Sequence, residues 1–408
     1  MNFGVAGSIA IGVLSPARGF VRMGWEGEPD IPFRPGEDFP FEDRAVTRIE
    51  CGAFIHELSR ATKLRLLLEC RRTLQPGGRL RIAPAEARGE DLAQLAALAG
   101  FAHDETEFAK PDRRIAGEPS VSIAIPAWSA RFFPDCLDSA LAQTYRNLEV
   151  VICDDSAGPE IESIVRERVH DHPIRYERNA TRLGPRGNFT RCLERAQGEF
   201  VKLLCDDDLL APSCVASLVD AFRRAPDVAL ATSRRRRIDA QGRELADQPA
   251  TTPILHGDAL IVGRTLGNAM IMAGLNIVGE PSTVLFRRAD LDDRPEHFGF
   301  DGVAGHGIID MATWAALLLK GDAVYVREAL SSFRIHPAQR QHDPAKARRN
   351  VQSIRELQSA WLGLGLHEGL RPDVVLAKPF PPGIEDWRWQ PLTGYAARAA
   401  PKATRAAS

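Results

Sequence analysis

Carboxylates gather where two apolar runs end. Asp206, Asp207 and Asp208 close "EFVKLLCDDD", and Asp154 and Asp155 close "LEVVICDD". Three successive acids near a core are costly unless a cation compensates them. Alternate carboxylates there could hold one hard divalent ion, Mg2+ or Mn2+, that also binds substrate phosphates. The triplet could equally cap a helix over "DDDLLAPSCVASLV", with acids at the positive end of its dipole. Asp154 and Asp155 could accept hydrogen bonds from a nucleobase N–H or a ribose hydroxyl, or sit in a solvated turn before "SAGPE". His336, in "FRIHPAQ", is a lone histidine whose plain reading is structural. Asp310, in "GIIDMATWAALLL", begins an apolar helix, where an N-cap is the plain reading.

The elements that must position these residues follow from pattern. "VSIAIPAW" and "LEVVICDD" are short apolar runs, so buried strands. "FFPDCLDSALAQTY" between them puts Phe133, Cys136, Leu137, Ala140 and Leu141 on one helical face. "EIESIVRERV", "IRYERN" and "GNFTRCLERA" continue as helix, strand and helix, and Glu199–Asp208 makes a fourth strand. Such alternation predicts a mostly parallel sheet with helices on both faces. Ligands bind beyond the carboxyl ends of such strands, so acids at two strand ends converge on one crevice. "AVYV" before His336 reads as a strand and Lys346–Leu362 as a helix.

Composition excludes other classes. The 408 residues are 44% hydrophobic and 26% charged, with a net charge of −2. That is ordinary globular composition, with no global field favouring nucleic acid. The one dense basic run, Arg234–Arg237, reads as a solvated strand edge or as an anion contact. The longest apolar runs, Phe3–Leu14 and Ala269–Val278, are too short to span a bilayer. The 7 cysteines form no CxxC pair and several sit in apolar runs, which points to reduced, buried thiols in a cytoplasmic protein.

Read in order, "VSIAIPAW…LDSALAQTYRNLEVVICDDS…GPRGNFTRCLERAQGEFVKLLCDDDLLAP" resembles the family 2 glycosyltransferases of the GT-A fold. Members of that family read "VSVIIPTYN…SVLAQTY.NLEIIVVDDGS…N.G…A.G.YI.FLDDDD…P". The resemblance continues through Asn276–Arg288 and Ile308–Pro337. It implies that Pro126, Ala127 and Trp128 pack around a nucleotide base, and that Asp154 and Asp155 read base and ribose. Asp206, Asp207 and Asp208 overlie the DxD element. Asp206 and Asp207 then meet the donor, and Asp206, Asp208 and His336 hold Mg2+ or Mn2+. Asp310 matches the acid of the "ED" motif, the usual general base, with Ile309 where the Glu stands. Trp128 replaces the common Tyr and Ser129 the common Asn. The implied function is metal-dependent, inverting transfer from a nucleotide-diphospho-sugar to a hydroxyl of a glycan or glycolipid. The expected setting is surface polysaccharide synthesis at the cytoplasmic face, with room for peripheral membrane contact. A non-catalytic scaffold of the same shape is the other reading, but it has no reason to keep this acid set.

The front of the chain resembles something else. "PFRPGEDFPFEDRAVTRIECGAFIHELSRATKLRLLLECRRTLQPGGRLRIA" (Pro32–Ala83) is similar to the second half of class I S-adenosylmethionine methyltransferases. The resemblance implies a small Rossmann-like α/β domain. A glycine loop lets the backbone approach its ligand. Gly4 and Gly7 stand in the wrong spacing for it, which implies a truncated, degenerate domain that does not bind the cofactor. A bifunctional methyltransferase and glycosyltransferase is the alternative. The expected organisation is a degenerate methyltransferase-like domain at 1–108, a linker at 109–120, a GT-A domain at 121–345, and a helix with a disordered tail at 346–408.

Overall fold

The computed structural model describes residues 8–11, 20–24, 31–32, 44–83, 90–104, 107–169, 174–292, 297–337, 339, 344–383 and 385–393. Gly4, Gly7 and the tail Ala396–Ser408 lie outside these described residues. The chain forms two compact units. One comprises Met1–Arg114 with Ser359–Glu368, and the other Ile115–Gln358 with Gly369–Ser408.

Among its described residues the first unit holds seven strands: Ser8–Ile11, Phe20–Gly24, Ile31–Pro32, Val46–Cys51, Leu74–Ile82, Ala102–Asp104 and Glu107–Ala109. Counted along the chain, their order in the sheet is 3-2-1-4-5-7-6. The first five run parallel, and the last two pair antiparallel. The helix Arg60–Thr73 is capped by Ser59, whose Oγ accepts from the Thr62 N–H at 3.2 Å. Val46, Ile49, Leu64, Leu67, Leu80 and Leu95 are buried in its core. Asp104 pairs with Glu107 inside this sheet. Pro76–Gly78 lie inside the strand Leu74–Ile82. Gly77 N–H donates to the Lys110 carbonyl, and Lys110 N–H to that of Gly78, both at 2.9 Å.

The second unit carries the acids. Its first strand, β1 (Val121–Ala127), is buried at every position, as a strand covered on both faces must be. It pairs in parallel with β2 (Leu148–Asp154) on one side and β4 (Phe200–Leu203) on the other, and β2 pairs in parallel with β3 (Ile174–Arg178). Helices α1 (Phe133–Leu141), α2 (Glu160–Arg168) and α3 (Gly184–Arg195) make the connections. In α1, Phe133, Cys136, Leu137 and Ala140 are buried, the face that the spacing predicts. The chain passes close behind β1 at Gly198, where a Cβ would stand 2.5 Å from the Ser122 nitrogen.

Further elements widen the sheet. These are β5 (Leu209–Leu210), α4 (Cys214–Arg224), β6 (Leu230–Ile238), β7 (Glu244–Leu245), β8 (Ala259–Ile261), α5 (Gly263–Ala273) and β9 (Leu285–Arg287). Then come α6 (Ile309–Lys320), β10 (Ala323–Arg334), α7 (Pro344–Gly363), β11 (Val374–Pro379) and β12 (Arg388–Pro391). The sheet order is β3-β2-β1-β4-β9-β6-β10-β8-β11-β12, with β5 on β10 and β7 on β6. The sheet is mixed rather than mostly parallel: β3, β2, β1 and β4 pair in parallel, as do β6 and β10, and the other pairs are antiparallel.

Two expectations are corrected. The acids at 206–208 cap no helix: they lie between β4 and β5, and α4 starts beyond them with Ser213 at its N-cap. The basic run is no strand edge, since β6 lies between β9 and β10. Arg235 is 3% exposed and ion-paired with Glu280, while Arg234 pairs with Asp247 and Arg236 with Glu244. All seven cysteines are free thiols, six of them buried. Among the described residues no helix is long and apolar enough to cross a membrane.

Candidate active site

The carboxyl ends of β1, β2 and β4 open on a cavity of about 330 Å³. Pro126, Trp128, Asp155, Asp206, Asp207 and His336 all contribute to its wall. Because β1, β2 and β4 are parallel, their ends face one side. That is the crevice in which open α/β sheets bind ligands.

The three acids after β4 point to three different places. Asp206 Oδ2 accepts from the backbone N–H groups of both Trp128 and Ser129, each at 2.7 Å. Burial, and then the charge of Asp207, push its carboxyl up to about 7, against the pull of those two donors. Part of its surface still faces the cavity. Asp207 Oδ2 lies 3.1 Å from His336 Nε2 and accepts from Gln339 Nε2 at 3.2 Å. Asp208 turns inward. It is 1% exposed, accepts from Ser282 Oγ at 2.6 Å and from the Arg334 N–H at 3.0 Å, and is absent from the cavity wall. Its carboxyl is raised, first by burial and then by Asp207. Asp206, Asp208 and His336, expected together, are therefore not gathered; Asp207 takes the place beside the histidine.

Two residues outside the expected set fix this turn. Arg334, 2% exposed, donates from Nε to the Asp207 carbonyl at 2.8 Å, and its guanidinium lies 4.6 Å from the centre of the Phe132 ring. Ser282 Oγ accepts from the Cys205 N–H at 2.9 Å while donating to Asp208. The signal for Arg334 was in "FRIHP", two residues before the histidine; Ser282 had no such signal.

Asp154 and Asp155 are 0% and 2% exposed, so the solvated-turn reading is overturned. They also part company. Asp154 accepts from Tyr176 Oη and the Ser156 N–H, both at 2.8 Å, and faces away from the cavity wall. Asp155 lines the cavity. Its Oδ1 accepts from Asn179 Nδ2 at 2.9 Å and the Leu183 N–H at 2.7 Å, and its Oδ2 from the Gly184 N–H at 2.9 Å. Trp128 is 38% exposed at the rim, with the Arg182 guanidinium 3.7 Å from its ring centre. Ala127 is a buried strand residue whose carbonyl accepts from the Asp155 N–H at 2.9 Å.

A second cavity of about 590 Å³ shares Pro185, Phe189 and Cys205 with the first. Asp310 lines it, with His306, Trp314 and Arg349. Asp310 lies in the first turn of α6 but not at its N-cap, which is Ile308. Its carboxylate accepts from Asn276 Nδ2 at 2.7 Å and from the Met311 N–H at 2.8 Å. Burial dominates and raises it to about 6.

The second unit is a mixed α/β fold in which the parallel strands β1, β2 and β4 end at an acidic cavity, the place where open α/β sheets bind ligands. The chain matches the family model for glycosyl transferase family 2 over residues 122–292. It is similar to a chondroitin synthase of Escherichia coli, 33% identical over 127 residues, covering 30% of this chain and 18% of that protein. It is also similar to a GalNAc(5)-diNAcBac-PP-undecaprenol beta-1,3-glucosyltransferase of Campylobacter jejuni, 30% identical over 104 residues, covering 25% of this chain and 34% of that protein. The chain thus spans about a third or less of these relatives' length. Among solved structures, it is similar to S. aureus TarS 1-349 in complex with UDP-GlcNAc. The TM-score is 0.43 and the identity 16%, covering 61% of this chain and 72% of that one.

Proposed function

We propose that this chain is an inverting GT-A glycosyltransferase. It moves a sugar from a nucleotide-diphospho-sugar to a hydroxyl of a glycan or glycolipid acceptor in surface polysaccharide synthesis. One observation carries the reading: the cavity holding Asp155, Asp206, Asp207 and His336 adjoins the one holding Asp310. A donor in the first and an acceptor in the second would meet at the shared wall of Pro185, Phe189 and Cys205.

Each residue has work suited to its surroundings. Trp128 offers the base an aromatic face. Asp155 offers an acceptor to the nucleoside. Asp310 takes the proton of the acceptor hydroxyl, which such a base must approach within about 2.6–3.2 Å. A base on the far side of the anomeric carbon gives direct displacement and inversion.

The leaving diphosphate needs neutralising. Among the described residues no three His, Cys, Asp or Glu side chains are gathered to hold a metal by themselves. The donor set still fits Mg2+ or Mn2+, which prefer carboxylate oxygens and complete their shells with phosphate. Asp206, Asp207 and His336 share the cavity wall, and the Nε2 of His336 lies 3.1 Å from Asp207 Oδ2. Asp207 and His336, with Asp206 beside them, are the residues that would hold such an ion; Asp208, turned inward, is not. When bound, the ion supplies Lewis-acid stabilisation of the departing diphosphate.

We also infer that the first unit is Rossmann-like without binding S-adenosylmethionine. Its 3-2-1-4-5 run of parallel strands supports the doubly wound reading. The Gly4–Gly7 spacing argues against the cofactor. The test of the main reading is release of nucleoside diphosphate from UDP-, GDP- and dTDP-sugars with Mn2+, by wild type and by Asp310→Asn. Wild-type turnover with loss in the variant supports it. No turnover of any donor, or full turnover without Asp310, refutes it.

A further inference from the structure

Asp310 is held by a residue that the transfer reaction does not call for. Asn276 Nδ2 donates to Asp310 Oδ2 and to the Gly279 carbonyl, each at 2.7 Å, while its Oδ1 accepts from the Gly279 N–H at 2.9 Å. That last bond settles which way the amide faces. With Oδ1 committed to an N–H donor, only the NH2 group can meet the carboxylate.

The loop that presents Asn276 is fixed from three sides. Gly279 adopts φ +132, and a Cβ there would stand 2.6 Å from the Thr283 side chain, so no other residue fits without strain. Trp314, one turn beyond Asp310 on α6, donates from Nε1 to the Gly279 carbonyl at 2.8 Å. Arg235 donates to the Asn276 carbonyl at 2.8 Å and ion-pairs with Glu280. The buried arginine of the basic run thus serves this loop.

We propose that Asn276 is the positioning residue of Asp310: its NH2 group orients the carboxylate toward the second cavity and favours its ionised form. This rests on Asp310 being the general base. A hydrogen bond to the charged form lowers a carboxyl pKa, and its loss raises it. The other charged or titratable groups around Asp310 are Glu280 from the Asn276 loop, His306 from the loop before α6, Arg349 from α7 and, across the cavity, the Cys205 thiol after β4. Arg235 faces Glu280 from β6. None of them donates a hydrogen bond to Asp310 among the described residues.

The experiment is the pH–rate profile of nucleotide-sugar hydrolysis, with the Mn2+-loaded full chain and a UDP-, GDP- or dTDP-sugar that the wild type turns over. The variants are Asn276→Ala, the isosteric Asn276→Asp, and Asp310→Asn, each checked for folding by its melting transition. The acidic limb is expected to move up by about one unit in Asn276→Ala and further in Asn276→Asp, where two carboxylates meet. Asp310→Asn should abolish the limb. A limb unmoved in both Asn276 variants, even at lower rate, overturns the proposal and leaves Asn276 structural. A limb that survives in Asp310→Asn instead refutes Asp310 as the base.

Discussion

His336 Nε2 and Asp207 Oδ2 lie 3.1 Å apart across 129 residues of chain. The middle acid of the triplet, rather than the last, therefore meets the histidine. The two acids should respond differently to removal.

Asp207→Asn should reduce kcat/KM with Mn2+ by at least about a hundredfold, as loss of a transition-state charge interaction does, with the melting temperature near wild type. Asp208→Ala should instead destabilise the fold by about 1–3 kcal/mol, because Ser282 Oγ–H and the Arg334 N–H lose a buried acceptor. Steady-state kinetics and thermal melts of both variants decide it. The reverse pattern would put Asp208 in the site.

The rate should depend on pH through Asp310. Burial raises its carboxyl to about 6. A base must be ionised, so turnover should be full well above pH 6 and fall as pH drops through it. At pH 5 about a tenth of the enzyme would carry the ionised base. A pH–kcat profile flat from 5 to 8 would contradict this.

Trp128→Ala should raise the donor KM about tenfold with a smaller change in kcat, since stacking on the base contributes on the order of 1–3 kcal/mol and changes little during transfer. Equal KM values for wild type and variant would remove Trp128 from the donor site.

The first unit should not bind S-adenosylmethionine. Calorimetric titration of the full chain with about 100 μM ligand should give no saturable heat, where a Kd of about 10 μM, about −6.8 kcal/mol, would be plain. Saturable binding would favour a bifunctional enzyme.

Much of the second unit's front was legible because β1 and β2 are mostly apolar and buried. Val121–Ala127 and Leu148–Asp154 fall within the runs that the sequence marks, and their parallel pairing brings the acids to one side. The direction of each acid was not legible. β4 ends at Leu203, and a turn at Asp206–Asp207 breaks the alternation that would have put Asp206 and Asp208 on one face. Asn276 and Arg235 were illegible for another reason. Their roles depend on partners 34 and 45 residues away, and an arginine in a charged run reads as solvated until an acid such as Glu280 is placed against it. The 3-2-1-4-5-7-6 order was also hidden, because strand order depends on pairings that local pattern does not encode.

Binding of a nucleotide sugar and a divalent ion in the acidic cavity is what every role proposed for its residues rests on. The most direct measurement is nucleoside diphosphate release from UDP-, GDP- and dTDP-sugars, with Mn2+ and with EDTA, by wild type and Asp207→Asn. The expected result is turnover of at least one donor with Mn2+, and about a hundredfold loss both in EDTA and in the variant. Turnover that is unchanged in EDTA and in Asp207→Asn would contradict it.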